Sequence, residues 1–254
     1  MKIFLDVGAH YGETIEEVIK KKYNFDLIYA FEPSKKCLYE LKKYKSNKII
    51  INNYGLGEKN ENRNLYSSGK LGANIYQNDK NEISEKIKIN KASDWFKENI
   101  KETDIVFVKL NCEGSECEII NDLLINNQFN KIYNVMITFD VRDISGKEHE
   151  EIKTRKILKN NKSINYCFAD NVMKGVTHQK RIANWLHNIG GTSICKNKQK
   201  LLEEYRTKLK YFLSKSGTLN RFESQIKKKM LYKHYPNIIK KIFQKIRYII
   251  SSVI

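Results

Sequence analysis

Asp6-Val7-Gly8-Ala9-His10-Tyr11-Gly12 is a glycine-containing segment between two regular elements. The apolar run Ile3-Phe4-Leu5 precedes it, and a helix-like stretch over residues 13–22 follows it. Gly8 and Gly12 carry no Cβ, so they adopt positive φ easily and let a ligand approach the backbone. The start of the helix adds free N–H groups and the positive end of the helix dipole. The order strand, tight loop, helix therefore predicts an α/β fold with a ligand site at this loop.

A second apolar strand, residues 27–31, ends in Glu32, 24 residues after Gly8. A carboxylate in this position accepts hydrogen bonds from both hydroxyls of a ribose. A dinucleotide site would show the spacing G-x-G-x-x-G, whereas this chain has D-x-G-x-x-x-G, with Asp6 in place of the first glycine. Asp6 would repel a pyrophosphate but suits a cationic amino group, as in S-adenosylmethionine. An ordinary glycine turn after a strand is the simpler alternative.

A third motif lies further along the chain, where a strand breaks into polar residues: Val106-Phe107-Val108-Lys109-Leu110-Asn111-Cys112-Glu113-Gly114-Ser115-Glu116. Together with Asp6-Val7-Gly8-Ala9 and Phe31-Glu32-Pro33, it resembles the FkbM family of S-adenosylmethionine-dependent methyltransferases. The corresponding family motifs are D-V-G-A-N-x-G, F-E-P and K-I-D-x-E-G-x-E. Residues 53–57 and 92–96 are similar to further family segments, so the resemblance covers about residues 2–140.

The resemblance implies a Rossmann-like class I methyltransferase fold. Alternating strands and helices favour a mostly parallel seven-stranded sheet with helices on both faces. We predict strands near 2–7, 26–31, 48–53, 104–110, 132–140, 164–169 and 192–195, and helices near 12–22, 34–44, 93–100 and 115–126. Residues 60–85 are predicted as a hairpin or a flexible loop. Residues 1–196 would form the S-adenosylmethionine-binding domain, and residues 197–254 a basic helical extension.

The cofactor would lie across the first two strand ends. Asp6, Gly8 and Gly12 would surround its methionine part and Glu32 its ribose, with Asn53 and Gly55 near the adenine. The full predicted cofactor-binding set is Asp6, Gly8, His10, Tyr11, Gly12, Thr14, Glu32, Pro33, Asn53, Gly55, Lys109 and Asn111.

Methyl transfer to a hydroxyl requires alignment of the acceptor and removal of its proton. Glu113 is the first candidate for the base, followed by His178 and Asp140, with Asn111 close to the reacting centre. An imidazole titrates near neutrality, and His178 lies in an insertion over 171–195 that we predict to be a lid. Surface exposure is the alternative for His178.

Two further sets of charges have alternative interpretations. Lys109 and Glu113 would form an ion pair that orders the strand end, if they do not act in the reaction. Asp140, Arg142 and Asp143 either face the substrate or solvate their loop.

Two positions depart from the family pattern. Asn111 stands where the family usually has Asp, and His10 where it usually has Asn. The change at Asn111 removes a carboxylate and argues against a metal ion there. The five cysteines contain no C-x-x-C pair, so we predict reduced thiols in the cytoplasm and no metal site.

The formal net charge of +18 is concentrated in residues 196–254, which contain sixteen Lys or Arg and three Glu. After Pro236 an amphipathic helix is predicted, with isoleucines on one face and lysines on the other. Such a helix binds an anionic membrane surface, which would place the protein peripherally at the inner membrane face. Packing on the domain or on a homodimer mate is the alternative. RNA is a third possible partner, because aromatic residues interleave with the lysines.

Three functions remain open from the sequence. The preferred one is O-methylation of a saccharide or related small molecule in surface glycan biosynthesis. The second is methylation of a nucleic acid, which the charge favours. The third is a non-catalytic nucleotide-binding module, which Asn111 favours.

Overall fold

The computed structural model describes residues 1–66, 68, 75, 83–141, 144–160, 165–169 and 177–188. Strands and helices alternate along most of this range. In chain order they are β1 (Lys2–Val7), α1 (Glu13–Val18), β2 (Leu27–Phe31), α2 (Lys35–Leu41), β3 (Ile49–Asn52), β4 (Gly55–Gly57), β5 (Glu61–Tyr66), β6 (Ile83–Lys91), α3 (Ala92–Asn99), β7 (Ile105–Leu110), α4 (Glu116–Ile125), β8 (Ile132–Ile137), α5 (Glu148–Asn160), β9 (Tyr166–Phe168) and α6 (His178–Asn188).

Six strands form one parallel sheet within the described residues, in the order β3-β2-β1-β7-β8-β9. The chain builds outward from β1 to β3 on one side, then returns to β7 and builds outward on the other. The order therefore reverses between β1 and β7, which pair in the register Asp6 with Lys109. Open α/β sheets bind ligands beyond the carboxyl ends of the strands at such a point.

Alternation along β1 creates two cores, one on each face of the sheet. Ile3, Leu5 and Val7 belong to the core under α3, α4 and α5. Phe4 belongs to the core under α1 and α6. Helices therefore cover both faces, and the Rossmann-like α/β fold predicted from the sequence is confirmed.

A second, three-stranded sheet stands beside the first, in the order β4-β6-β5. β5 and β6 are antiparallel, so the hairpin prediction for residues 60–85 is the correct alternative where the chain is described. Arg63 on β5 contacts Glu61 and reaches Glu118 of α4 at 2.9 Å. This ion pair connects the small sheet to the main domain.

Several predicted boundaries were wrong. The helix predicted over 12–22 ends at Val18, and the strand predicted over 132–140 ends at Ile137. Sequence analysis did not predict α5, because its highly charged sequence buries only Thr154 and Leu158 and so lacks a clear apolar period.

The prediction of a lid over residues 171–195 was wrong for residues 178–188. These residues form helix α6. Ile182, Trp185 and Leu186 of this helix are buried in the core. The predicted strand at 192–195 and the basic extension 197–254 lie outside the described residues. No helix in the part of the chain that the structure describes is long and apolar enough to cross a membrane.

Candidate active site

A cavity opens at the carboxyl ends of β1, β2 and β7, where the strand order reverses. Its polar wall comes from the loops that follow these strands. Its apolar wall comes from the small sheet through Leu56, Leu65, Ile87 and Ile89. One side is thus suited to polar groups and the other to an apolar ring, a combination typical of small-molecule sites.

The loop after β1 is fixed by its neighbours. The backbone N–H groups of Gly8 and Ala9 both donate to the Phe31 carbonyl, at 3.1 and 3.0 Å. Gly8 has a φ of 80°, and a Cβ there would lie 1.8 Å from the Asn111 carbonyl oxygen. Only glycine fits this position, because β1 and β7 bring their loops into direct contact.

Glu32 lies at the tip of β2 and is buried. One carboxylate oxygen accepts the His10 N–H at 2.8 Å, and the other accepts the Ser34 N–H at 2.9 Å. Burial raises the pKa of Glu32 above its ordinary value, and these two hydrogen bonds oppose the rise. The carboxylate is therefore held in one orientation at the wall of the cavity.

Asp6 lies beneath the cavity and outside its wall. It is fully buried, and Lys109 Nζ lies 3.1 Å from its carboxylate. Lys109 also donates to the Gly8 carbonyl at 2.5 Å. Burial raises the pKa of Asp6, and Lys109 opposes that rise. The pair ties β1 to β7 at the base of the site.

Glu13, the first residue of α1, places a carboxylate in the cavity wall. Its Oε1 lies 3.0 Å from His10 Nδ1, and its side chain is 41% exposed. Burial disfavours the charged form of Glu13, but the hydrogen bond to His10 and one from its own backbone outweigh burial and lower its pKa to about 2. The same hydrogen bond raises the pKa of His10. Glu13 is therefore an anion at neutral pH.

His178, the first residue of α6, also lies in the cavity wall. Its Nε2 lies 2.8 Å from the Thr14 hydroxyl on α1. Burial and the nearby positive charge of Lys109 lower the pKa of His178 to about 4. The imidazole is therefore neutral at pH 7 and acts through hydrogen bonds.

The loop after β7 is organised by Glu116, which is fully buried. Its carboxylate accepts the backbone N–H groups of Cys112 at 2.9 Å and of Gly114 at 3.1 Å. Burial, and then the charge of Asp140, raise the pKa of Glu116 to about 8. This loop presents Glu113 to the cavity with a φ of 56°.

Asn111 at the end of β7 donates its amide hydrogen to Asp140. Asn111 lies in the cavity wall, whereas Asp140 is outside the wall and accepts a hydrogen bond from the Asn111 amide. This hydrogen bond fixes the orientation of the Asn111 amide.

The structure brings most of the predicted residues together. Those in the cavity wall are Gly8, His10, Thr14, Glu32, Pro33, Gly55, Lys109, Asn111, Glu113 and His178. Their roles in binding and catalysis stay predictions.

Five predicted residues lie elsewhere. Asp6 is beneath the cavity, and Asp140 is behind Asn111. Tyr11 lies 4.1 Å from the His10 ring and faces another surface depression, and Gly12 packs against Tyr44. Asn53 is exposed to solvent. Predicted substrate-side residues 142 and 143 lie outside the described residues.

Sequence analysis missed Glu13, Cys112 and Glu116. Glu116 is the last letter of the K-I-D-x-E-G-x-E motif, so the motif itself contained the signal. Glu13 directly follows Gly12, at the position where a helix N-terminus points into the site. Among the described residues, no group of three or more His, Cys, Asp or Glu side chains is placed to hold a metal ion.

The fold and this cavity place the chain in the Rossmann-like α/β class. Residues 6–161 match the family model described as the methyltransferase FkbM domain. Because the match spans more than half of the chain, the chain belongs to the FkbM methyltransferase family.

One solved structure similar to this chain is the crystal structure of methyltransferase FkbM from Methylobacillus flagellatus KT at 2.20 Å resolution. The two chains are 18% identical with a TM-score of 0.39, and the similar region covers 62% of this chain and 37% of that chain. This chain thus spans a little over a third of that protein's length. A comparison with curated proteins gave no match.

Proposed function

We propose that this methyltransferase transfers the methyl group of S-adenosylmethionine to a hydroxyl of a saccharide or related small molecule. The observation that carries the proposal is Glu32, a buried carboxylate at the tip of β2 whose two oxygens are oriented by backbone N–H groups. A carboxylate in this place suits a ribose diol.

The residues of the cavity fit the proposed cofactor. The apolar wall of Leu56, Leu65, Ile87 and Ile89 suits a purine ring. Glu32 suits the ribose, and the ionised Glu13 suits a positively charged group. When bound, the cofactor supplies an electrophilic methyl group on sulfur.

Glu113 is the proposed base for the acceptor hydroxyl. It lies in the cavity wall on the loop after β7, next to Asn111. A carboxylate there takes the proton that the hydroxyl releases as its oxygen attacks the methyl carbon. Asn111, oriented by Asp140, is proposed to position the acceptor through its amide.

The ribose assignment is tested by a Glu32→Ala variant titrated calorimetrically with S-adenosylhomocysteine. We expect an affinity loss of roughly 10- to 100-fold, because hydrogen bonds to a charged group contribute about 1.5–3 kcal/mol. Glu58→Ala, at an exposed carboxylate, is the control and should bind like wild type. Absence of binding by the folded wild-type protein would contradict the proposed cofactor.

The base assignment is tested by Glu113→Gln. We expect turnover with a responsive saccharide acceptor to fall about 10²- to 10⁴-fold, the usual contribution of general base catalysis. Affinity for S-adenosylhomocysteine should stay within about twofold, because the amide keeps the shape of the carboxylate. Undiminished turnover would assign the base elsewhere.

A nucleic-acid acceptor is the second candidate, favoured by the net charge of +18. Basic proteins that contact phosphates lose affinity steeply as salt rises. Methyl transfer to RNA that is abolished between roughly 50 and 200 mM salt would support this candidate over a saccharide.

A further inference from the structure

The Asp6 carboxylate, which we expected to contact the cofactor, does not line the cavity. Asp6 is 0% exposed and is paired with Lys109 at 3.1 Å. Lys109 is in turn bonded to the Gly8 carbonyl. The Asp6 carboxylate therefore pairs with Lys109 between β1 and β7. A positively charged ligand group in the cavity needs a different carboxylate as its partner.

Glu13 supplies that partner. It lies in the cavity wall and keeps 41% of its side chain exposed, while His10 contacts one of its oxygens at 3.0 Å. Glu32, the neighbouring carboxylate, has both oxygens bonded to backbone N–H groups. The proposed function assigns Glu32 to the ribose and Glu113 to the acceptor hydroxyl, so Glu13 is the carboxylate of the cavity wall that is left for a positively charged ligand group.

A pair of neutral hydrogen-bonding groups lies beside Glu13. Thr14 is the next residue in the chain, and its hydroxyl lies 2.8 Å from His178 Nε2. The positive charge of Lys109 and the negative charge of Glu13 act on the same imidazole with opposite effects. A hydroxyl and a neutral imidazole that are bonded to each other keep one donor hydrogen between them, so this side of the cavity offers one hydrogen-bond donor to an anionic group.

We propose that Glu13 binds the α-ammonium group of the cofactor and that His178, with Thr14, binds its α-carboxylate. Both charged groups of the amino acid sit on one carbon, and Glu13 and Thr14 are consecutive residues. The inference rests on the proposed function, since it assumes S-adenosylmethionine as the cofactor. It adds a residue that the family model does not include, because the match ends at residue 161 and α6 begins at 178.

The role of Glu13 is tested with two ligands that differ in the amino-acid part. S-adenosylhomocysteine has this part, whereas 5′-methylthioadenosine lacks it. Glu13→Gln should lower calorimetric affinity for S-adenosylhomocysteine roughly 10-fold or more and change that for 5′-methylthioadenosine by less than about twofold. Glu16→Gln, an exposed carboxylate on the same helix, is the control and should change neither.

The role of His178 is tested with S-adenosylhomocysteine and its decarboxylated analogue. His178→Ala should weaken binding of the complete molecule roughly 10-fold or more and leave the analogue unaffected, because a hydrogen bond to a charged group contributes about 1.5–3 kcal/mol. His187→Ala, an exposed histidine on the same helix, is the control. Melting temperatures of all variants report whether each one folds.

The outcomes separate the two proposals. Equal losses for both ligands of a pair, or no loss for the complete molecule, would overturn the assignment of that residue while leaving the cofactor intact. Binding of 5′-methylthioadenosine but not S-adenosylhomocysteine by the wild type would overturn recognition of the amino-acid part. Binding of neither ligand by folded wild-type protein would overturn the proposed function and this inference together.

Discussion

Gly8 and Gly146 have nearly the same positive φ, 80° and 82°, in different surroundings. A Cβ on Gly8 would lie 1.8 Å from the Asn111 carbonyl oxygen, whereas one on Gly146 would meet no described atom within 4 Å. Gly146→Ala should cost about 1–2 kcal/mol of stability, the strain of a left-handed L-residue. Gly8→Ala should cost about 1–3 kcal/mol more, because the loops after β1 and β7 must separate.

Urea unfolding of the two alanine variants beside wild type measures this difference. Because the positive φ is common to both positions, the excess loss in Gly8→Ala reports the contacts with the backbone of Asn111 and Cys112. Equal losses of unfolding free energy in the two variants would mean that the loops after β1 and β7 separate without destabilising the protein.

For individual residues, the sequence predicted which ones lie at the site better than it predicted which side chains form ion pairs there. Gly8 and Glu32 could be placed because a tight loop and a strand tip follow from local pattern. The pairing of Asp6 with Lys109 could not, because these residues are far apart in sequence and become neighbours only in the strand register. That pairing keeps Asp6 outside the cavity wall, and for this reason we propose Glu13 as the partner of a positively charged ligand group.

At the scale of elements, Trp185 is the largest of the three α6 side chains that are buried against the sheet. Trp185 is 1% exposed, and its Nε1 donates to Asn134 Oδ1 on β8 at 2.8 Å. Trp185→Phe should cost about 1–3 kcal/mol, because it leaves a buried amide oxygen without its donor. Unfolding of Trp185→Phe, Asn134→Leu and the double variant gives the coupling energy between the two residues, and additive losses would exclude the hydrogen bond as the cause.

The elements that sequence missed share a physical property. Helix α5 buries two residues, so its sequence has little apolar periodicity. Strands β5 and β6, which the sequence predicted only as a hairpin or a flexible loop, carry alternate charged residues, and Arg63 of β5 pairs with the distant Glu118. Strands β1, β2 and β7 were predicted closely because they are buried on both faces and therefore have near-continuous apolar sequences.

At the scale of the whole molecule, the alternation of strands and helices predicted a mostly parallel sheet. The structure adds that the strand order reverses between β1 and β7, where the cavity lies. The basic extension, residues 197–254, remains a prediction. The predicted contact with an anionic membrane is tested by co-sedimentation with phosphatidylserine vesicles. The full chain is compared with a chain that lacks residues 236–254. We expect the shortened chain to lose binding, and equal sedimentation would exclude the final helix as the contact.

Folding stability of the whole chain should depend on pH through His178. Glu13, Lys109, Arg181 and His10 act electrostatically on this imidazole, and burial with Lys109 lowers its pKa from 6.5 to about 4. Between these values the unfolded chain binds the proton and the folded chain does not, so stability falls as pH falls. From pH 7 to pH 5 the loss should be about 1–2 kcal/mol, allowing for partial solvent exposure.

Chemical unfolding of wild type, His178→Gln and His187→Gln at pH 7, 6 and 5 isolates this contribution. The lowered pKa of Glu13, about 2, leaves its stabilising charge intact above pH 5, and the raised pKa of His10 acts in the opposite direction, with stability lost as pH rises through it. His178→Gln should therefore lose less stability than wild type on acidification, whereas His187→Gln should follow wild type. Parallel losses in all three proteins would show that the imidazole at the start of α6 is not kept neutral by burial, and His178 would then carry a proton into the cavity near pH 6.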